Sequence, residues 1–261
     1  MATLHAFEFL AEPERHPPQP VNVLFGGEAF LIGEIWRALR TQVLGDDPEA
    51  VPHTSFEGAQ CEWRELADEL ATAGLFGASG RRVVLLRDAD SFLGREANRA
   101  RLEDYATAAK GKNVLVLTAS TWAANTRLYK IVDAGGLQVD CRPPTGKRKG
   151  EIDETAVARW LERWAPRRHG VKLGRGAASE LLELVGPEIG LLDQDLAKLA
   201  LYLEPGGTIS GDMVREIIGG WRAKSAWDVV DAALEGRTAD ALLELERLSE
   251  SGEHPIALLG Q

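Results

Sequence analysis

Two adjacent glycines close a short apolar run, Val21-Asn22-Val23-Leu24-Phe25-Gly26-Gly27-Glu28, where a phosphate-binding loop would sit between a strand and a helix. That chemistry needs GxxxxGK[ST], in which backbone amides wrap the phosphates, a lysine balances their charge and a hydroxyl holds magnesium. Counted from Gly26, the lysine position holds Ile32 and the hydroxyl position Gly33; counted from Gly27, they hold Gly33 and Glu34. Neither frame fits. Glu28 also puts a carboxylate where phosphates would lie, although it suits the positive end of a helix. The loop at Gly26, Gly27 and Glu28 is therefore read as degenerate, and no nucleotide cofactor is expected.

The remaining candidates for catalysis are weak. Asp88 and Asp90 follow the run Val83-Val84-Leu85-Leu86-Arg87, near where an ATPase places its metal-binding and water-orienting acids. They fit a metal pair or simple turn and helix-cap chemistry, and without a phosphate loop a metal would have no nucleotide to serve. Gly77-Ala78-Ser79-Gly80 lacks the strand and the spacing of a nucleophile elbow and reads as a turn. His5, His16, His53, His169 and His254 form no ligand pair. Cys61 and Cys141 stand alone, which suits a reducing cytoplasm. No catalytic residue and no metal site is expected.

The elements that would position these residues alternate in type. Val21–Phe25, Val83–Leu86, Val114–Leu117 and Leu137–Cys141 read as buried strands. Helical spacing follows Glu28, covers Cys61–Ala73 and Glu96–Ala109, and recurs after Asn125, a candidate N-cap. Such alternation predicts a parallel sheet covered by helices. The composition changes at Arg142-Pro143-Pro144-Thr145-Gly146-Lys147-Arg148-Lys149-Gly150, a hinge or linker. Beyond it strand-like runs stop, and helices are expected over about 154–164, 177–185, 191–203 and 212–218. A third segment opens near Trp221, with Ser225 and Thr238 as helix caps, and the chain ends two residues after Leu259, as though inside a further helical domain.

Net charge is −10 with a pI near 5.1, the reverse of a protein that grips DNA by itself. Lys147, Arg148 and Lys149, with Arg167-Arg168-His169, could touch phosphates locally, or could be a solvated linker and helix end. No apolar run is long enough to span a bilayer, and the start of the chain, with Glu8, Glu12 and Glu14, does not read as a secretory signal.

One feature is left over: Leu75-Phe76, an apolar pair among glycines and polar residues between Ala71 and Arg82. The pair could staple the preceding helix to the core, or stand on an exposed loop. Around it runs a series of matches in order. They are Val23–Leu31 with its glycine turn and E-x-F-L start, Leu75-Phe76-Gly77 followed by Arg81–Arg87, Thr126–Lys130, Asp195–Tyr202 and Gly252–Leu259. In these segments the chain resembles the δ subunit of the bacterial DNA polymerase III clamp loader.

The resemblance implies an α/β fold, a P-loop/AAA+-like parallel sheet domain over 1–145. It is followed by a small α-helical lid-type domain over 146–220 and the start of an all-helical collar domain over 221–261. It implies a non-catalytic subunit of a DNA-directed DNA polymerase complex, working in the cytoplasm. That subunit binds no ATP and has as partners the sliding clamp (β), the loader's ATPase subunits, a δ′-type subunit and primed DNA. Leu75 and Phe76, flanked by Ala73 and Gly74, are then the wedge that enters the clamp and opens it. The family often has glutamine where this chain has Ala71, so the hydrogen bonds of that glutamine are not carried over. The rival readings are a divergent AAA+ ATPase and a DNA-binding replication factor.

Overall fold

Val21–Phe25, Val83–Arg87 and Val114–Ala119 are buried along nearly their whole length, as befits strands with both faces covered. They are the second, fourth and fifth strands (β2, β4, β5) of a six-stranded sheet. Leu4–His5 (β1), Thr54–Glu57 (β3) and Leu137–Asp140 (β6) complete it in the order β1-β6-β2-β5-β4-β3, and every pairing is parallel. The computed structural model describes residues 3–45, 53–72, 81–108, 113–146, 148, 150–219 and 229–250. The chain divides into two compact units, Met1–Glu151 and Ile152–Gln261.

Alternation along the strands sorts the core of the first unit. Val21, Val23 and Phe25 of β2, Val84 and Leu86 of β4, and Leu115 and Leu117 of β5 share one face. Leu66 and Leu70 of Trp63–Ala71 (α3), Phe92 of Asp90–Gly94 (α4), Leu102 of Glu96–Ala108 (α5), and Leu128 and Val132 of Arg127–Gly135 (α6) pack on that face. Helix α2 (Ala29–Leu44), which follows the short helix Ala6–Ala11 (α1), touches β2, β4 and β5 but does not join that cluster, so it covers the opposite face with Leu31, Ile35 and Leu39 fully buried.

Three local readings need correction. The expected sheet had four strands; the two missed ones are edges, one of two residues and one whose exposure alternates as in a half-buried strand. The cap of α6 is Thr126, not Asn125, because the Thr126 hydroxyl accepts from the Tyr129 amide at 3.1 Å. Strands do not stop after residue 150, since Lys172–Leu173 and Thr208–Ile209 form a small parallel pair in the second unit. Two residues per strand leave no periodicity to read.

The second unit is otherwise helical: Glu154–Arg168 (α7), Ala177–Val185 (α8), Ile189–Ala200 (α9) and Gly211–Val214, the last continuing into a π turn over Arg215–Gly219. The sequence places Ser225, Gly252 and the match at Gly252–Leu259 outside the described residues, whereas Thr238 begins a helix running to Glu250.

Asp193 of α9 is a buried carboxylate held by two donors. Trp164 Nε1 donates to Oδ1 at 2.6 Å, and His169 Nε2 lies 2.7 Å from the same oxygen. Burial alone would raise its pKa, but the bonds from His169 and Trp164, with the charges of His169 and Arg168, hold the carboxyl below its usual range. A depressed pKa stabilises the fold above the unfolded value, about 3.9, and the contribution drains away as pH falls through the folded value. Urea unfolding followed by tryptophan fluorescence should therefore lose more stability below about pH 4 in the wild type than in Asp193→Asn. Parallel pH profiles for the two proteins would contradict this.

Candidate functional site

Strands β2 and β5 are neighbours, but the chain leaves them in opposite directions. From β2 it crosses through α2 to β3 at one edge; from β5 it crosses through α6 to β6 on the far side of β2. In open parallel sheets, the crevice at the carboxyl ends of such a strand pair is where ligands bind. Gly26, Gly27 and Glu28 stand there.

Gly26 and Glu28 are engaged with the protein itself. The Gly26 amide donates across the crevice to Ala119 O at 3.0 Å, and Cys141 N donates to Phe25 O at 2.7 Å. The Glu28 carboxylate caps α2 by accepting from the Phe30 amide at 3.3 Å. A phosphate loop offers free amides to an anion; here one amide is bonded to protein and the helix start carries its own negative group. Arg142 packs against Gly26, with its guanidinium 5.7 Å from the centre of the Phe25 ring. It is paired with Asp140, whose carboxyl stays below its usual range because the bonds and charge of Arg142 outweigh its burial.

The acids after β4 are likewise engaged. Asp90 accepts from Ser120 N at 2.9 Å, Ser120 Oγ at 2.7 Å and Thr121 N at 3.3 Å, tying the loop after β5. These bonds overcome the effect of burial and lower its pKa. Asp88 turns the chain at φ 46°, with its amide donating to Thr118 Oγ1 at 3.0 Å. The two acids make turns, and among the described residues no group of three His, Cys, Asp or Glu could hold a metal ion. Burial, reinforced by nearby carboxylates, pushes the Cys61 thiol to about 11 and Cys141 to about 12. Both thiols stay protonated at neutral pH and are poor nucleophiles.

The described flanks of the connection from α3 to β4, Thr72 and Arg82, lie at the opposite, amino end of the strands. Ala73, Gly74, Leu75 and Phe76 fall outside the described residues, but both flanks are described. Asn113 Nδ2 donates to Leu70 O at 2.8 Å and to Thr72 O at 2.9 Å, while Asn113 Oδ1 accepts from Arg82 N at 2.9 Å. Arg82 also forms an ion pair with Glu69 of α3, and Glu69 accepts from Thr54 Oγ1 at 2.7 Å. Sequence patterning missed Asn113, which lies 31 to 43 residues from its partners, beyond the reach of any local spacing rule.

In the basic run, Lys147 and Lys149 lie outside the described residues. Arg148 is exposed and belongs to a turn closed by Glu151, whose carboxylate accepts from the Arg148 amide at 3.1 Å. The structure thus puts the Gly26-Gly27-Glu28 loop at one end of the sheet, and Thr72 and Arg82 at the other.

Residues 23–142 match the family model described as DNA polymerase III, delta subunit. Over this stretch the chain is similar to the DNA polymerase III delta-subunit family. The match takes in both the degenerate loop and the Leu75-Phe76 segment. The delta-subunit fold is also that of the Bacillus subtilis DNA clamp loader delta protein (YqeN), similar with a TM-score of 0.67 at 17% identity, over 98% of this chain and 74% of that one. Weaker similarities join it to domain III of the Thermotoga maritima replication initiation protein DnaA (TM-score 0.39, 17% identity, 76% of this chain and 82% of that one). A further one is to the Thermotoga maritima RuvB Holliday junction branch migration motor (TM-score 0.41, 11% identity, 86% and 73%). No curated protein sequence matches the chain. Among the described residues, no helix is long and apolar enough to cross a membrane.

Proposed function

We propose that this delta-type chain is the clamp-gripping arm of a DNA polymerase III clamp loader. It binds the sliding clamp through Leu75 and Phe76, favours a clamp with one interface open, and does so without binding ATP or catalysing a reaction. Its partners are the clamp, the loader's ATPase subunits, a δ′-type subunit and, within the assembly, primed DNA, all in the cytoplasm. Residues 221–261 belong to the collar that would join it to those subunits. Lys147, Arg148 and Lys149 are an auxiliary phosphate contact.

The observation that carries this reading is the family match over residues 23–142, which encloses an apolar pair with no catalytic group beside it. The engaged loop at Gly26 supports the lack of nucleotide chemistry. Binding of the chain to its own sliding clamp is the direct test, and a chain that does not bind clamp would overturn the proposal.

A second measurement addresses the nucleotide. A ligand present at a hundred times its Kd stabilises a protein by about 2.7 kcal/mol. Millimolar ATP with magnesium is expected to leave the melting temperature unchanged, because no lysine awaits the phosphates and the Glu28 carboxylate stands at the helix start. A clear upward shift would favour the divergent ATPase instead.

A further inference from the structure

We infer that the outer face of α7 is a nucleic-acid contact, a stripe of Arg159, Arg163 and Arg167 that lies along the phosphates of a DNA duplex. The inference rests on the function proposed above for the choice of DNA. The stripe itself belongs to the second unit and takes no part in the clamp grip.

Charge is unevenly placed along the chain. Between Thr155 and Arg175, six arginine and lysine residues stand against one acid, Glu162, a local charge of +5 in a chain whose total is −10. From 176 to 219 the balance reverses, with eight acids against two bases. The positive charge is thus confined to α7 and the few residues after it. Basic residues clustered along one face of a helix are the electrostatic footprint of a nucleic-acid contact. The acidic remainder keeps that contact local.

Packing decides which way the stripe faces. Trp160 and Trp164 are buried on the inner side of α7 with ring centres 5.2 Å apart, and Trp164 Nε1 is bonded to Asp193 of α9. Arg159, Arg163 and Arg167 are exposed, each four residues from the next and so on one face. At a rise of about 1.5 Å per residue they cover about 12 Å of helix, a length over which one strand of a duplex presents roughly three phosphates. Arg159 and Arg163 donate through Nε to the carbonyls of Thr155 and Arg159, both at 3.3 Å, and neither forms an ion pair among the described residues. A guanidinium without a carboxylate partner can meet a phosphate through its remaining N–H groups.

The same helix distinguishes the kind of nucleic acid. Single strands are held by exposed aromatic rings on which bases stack, and both indoles of α7 are turned inward. A row of charge with no stacking ring suits the regular backbone of a duplex, held without regard to sequence.

The test is fluorescence anisotropy of a labelled mixed-sequence DNA duplex with the full chain at rising salt. Wild type is compared with a variant carrying Arg159→Gln, Arg163→Gln and Arg167→Gln. Each phosphate contact contributes about 0.9 to the slope of log affinity against log salt. Loss of three contacts should lower that slope by about 2.7, so that between about 50 and 200 mM salt the wild type loses about fortyfold more affinity than the variant. The charge-preserving variant Arg159→Lys, Arg163→Lys and Arg167→Lys should keep the wild-type slope. Should the triple glutamine variant fail to fold, Arg163→Gln alone should lower the slope by about 0.9.

A wild type that binds no duplex in low salt, or equal slopes for wild type and glutamine variant, would overturn the inference. Tighter binding of oligothymidine than of duplex would overturn it too, and tighter binding of polyglutamate would assign the stripe to an acidic protein instead. Clamp affinity, measured in parallel, should be the same for all variants. A chain that held duplex through the stripe but bound no clamp would sink the clamp grip and leave this inference standing.

Discussion

Replacing Leu75 and Phe76 together by alanine is expected to weaken clamp binding about a thousandfold while leaving the chain folded. Burying a side chain of either size contributes roughly 1.5–3 kcal/mol, and a buried aromatic at the centre of a contact is a typical hot spot. Losing about 4 kcal/mol from the pair corresponds to that factor in Kd. The fold should survive because the core of the first unit is closed by other residues: Leu66 and Leu70 of α3 and Val84 and Leu86 of β4 pack in one cluster on either side of the segment.

Equilibrium binding by calorimetry or surface immobilisation gives the affinity, and circular dichroism with a melting curve gives the fold. Equal affinity for wild type and variant would remove Leu75 and Phe76 from the contact. Loss of binding together with loss of structure would show instead that the pair staples α3 to the core, the alternative that the sequence leaves open.

How much of this was legible beforehand depends on whether the signal is local. The central strands were, because Val21–Phe25, Val83–Leu86 and Val114–Leu117 are continuous apolar runs that only a two-sided core explains. The boundaries of Ala177–Val185 were also readable, with glycine at each end as the cap residue. The edge strand Thr54–Glu57 was not, since TSFE half-buries only alternate residues and owes its extended form to pairing with β4.

The candidate sites divide in the same way. Failure of the phosphate loop is a matter of residue type at fixed spacing, so it could be read by counting. Closure of the crevice by Gly26 and Arg142, and of the segment's base by Asn113, joins residues dozens to more than a hundred positions apart. Tertiary hydrogen bonds of that kind leave no periodicity in a single sequence. Arg142 even fell in a stretch read as linker, though its side chain packs on β2.

Gly26 offers a sharp way to separate inheritance from use. A glycine in a phosphate loop serves to bring amides close to a ligand; this glycine serves the packing of the protein against itself. Its φ is +120°, a region that L side chains rarely adopt, and an added Cβ would lie 2.8 Å from Arg142 N and 2.9 Å from Cys141 C. Backbone atoms at those positions are held by the sheet, since Cys141 N is bonded to Phe25 O, so the strain cannot be relieved by turning a side chain. Conformational strain of about 1–3 kcal/mol adds to a packing penalty of about 1–3 kcal/mol. Gly26→Ala should thus destabilise the chain by about 2–6 kcal/mol.

Gly27 is the internal control. Nothing lies within 4 Å of a Cβ built there, and its φ is not in the left-handed region, so Gly27→Ala should change stability by no more than about 0.5 kcal/mol. Urea midpoints for the two variants read the contrast directly. The adjacent glycines would then prove unequal, one fixed by its backbone and the other free to vary. That pattern is what a loop packed against its own sheet at Gly26 requires. Equal tolerance at both positions would mean that the crevice is open enough to admit a ligand, and would reopen the question of nucleotide binding.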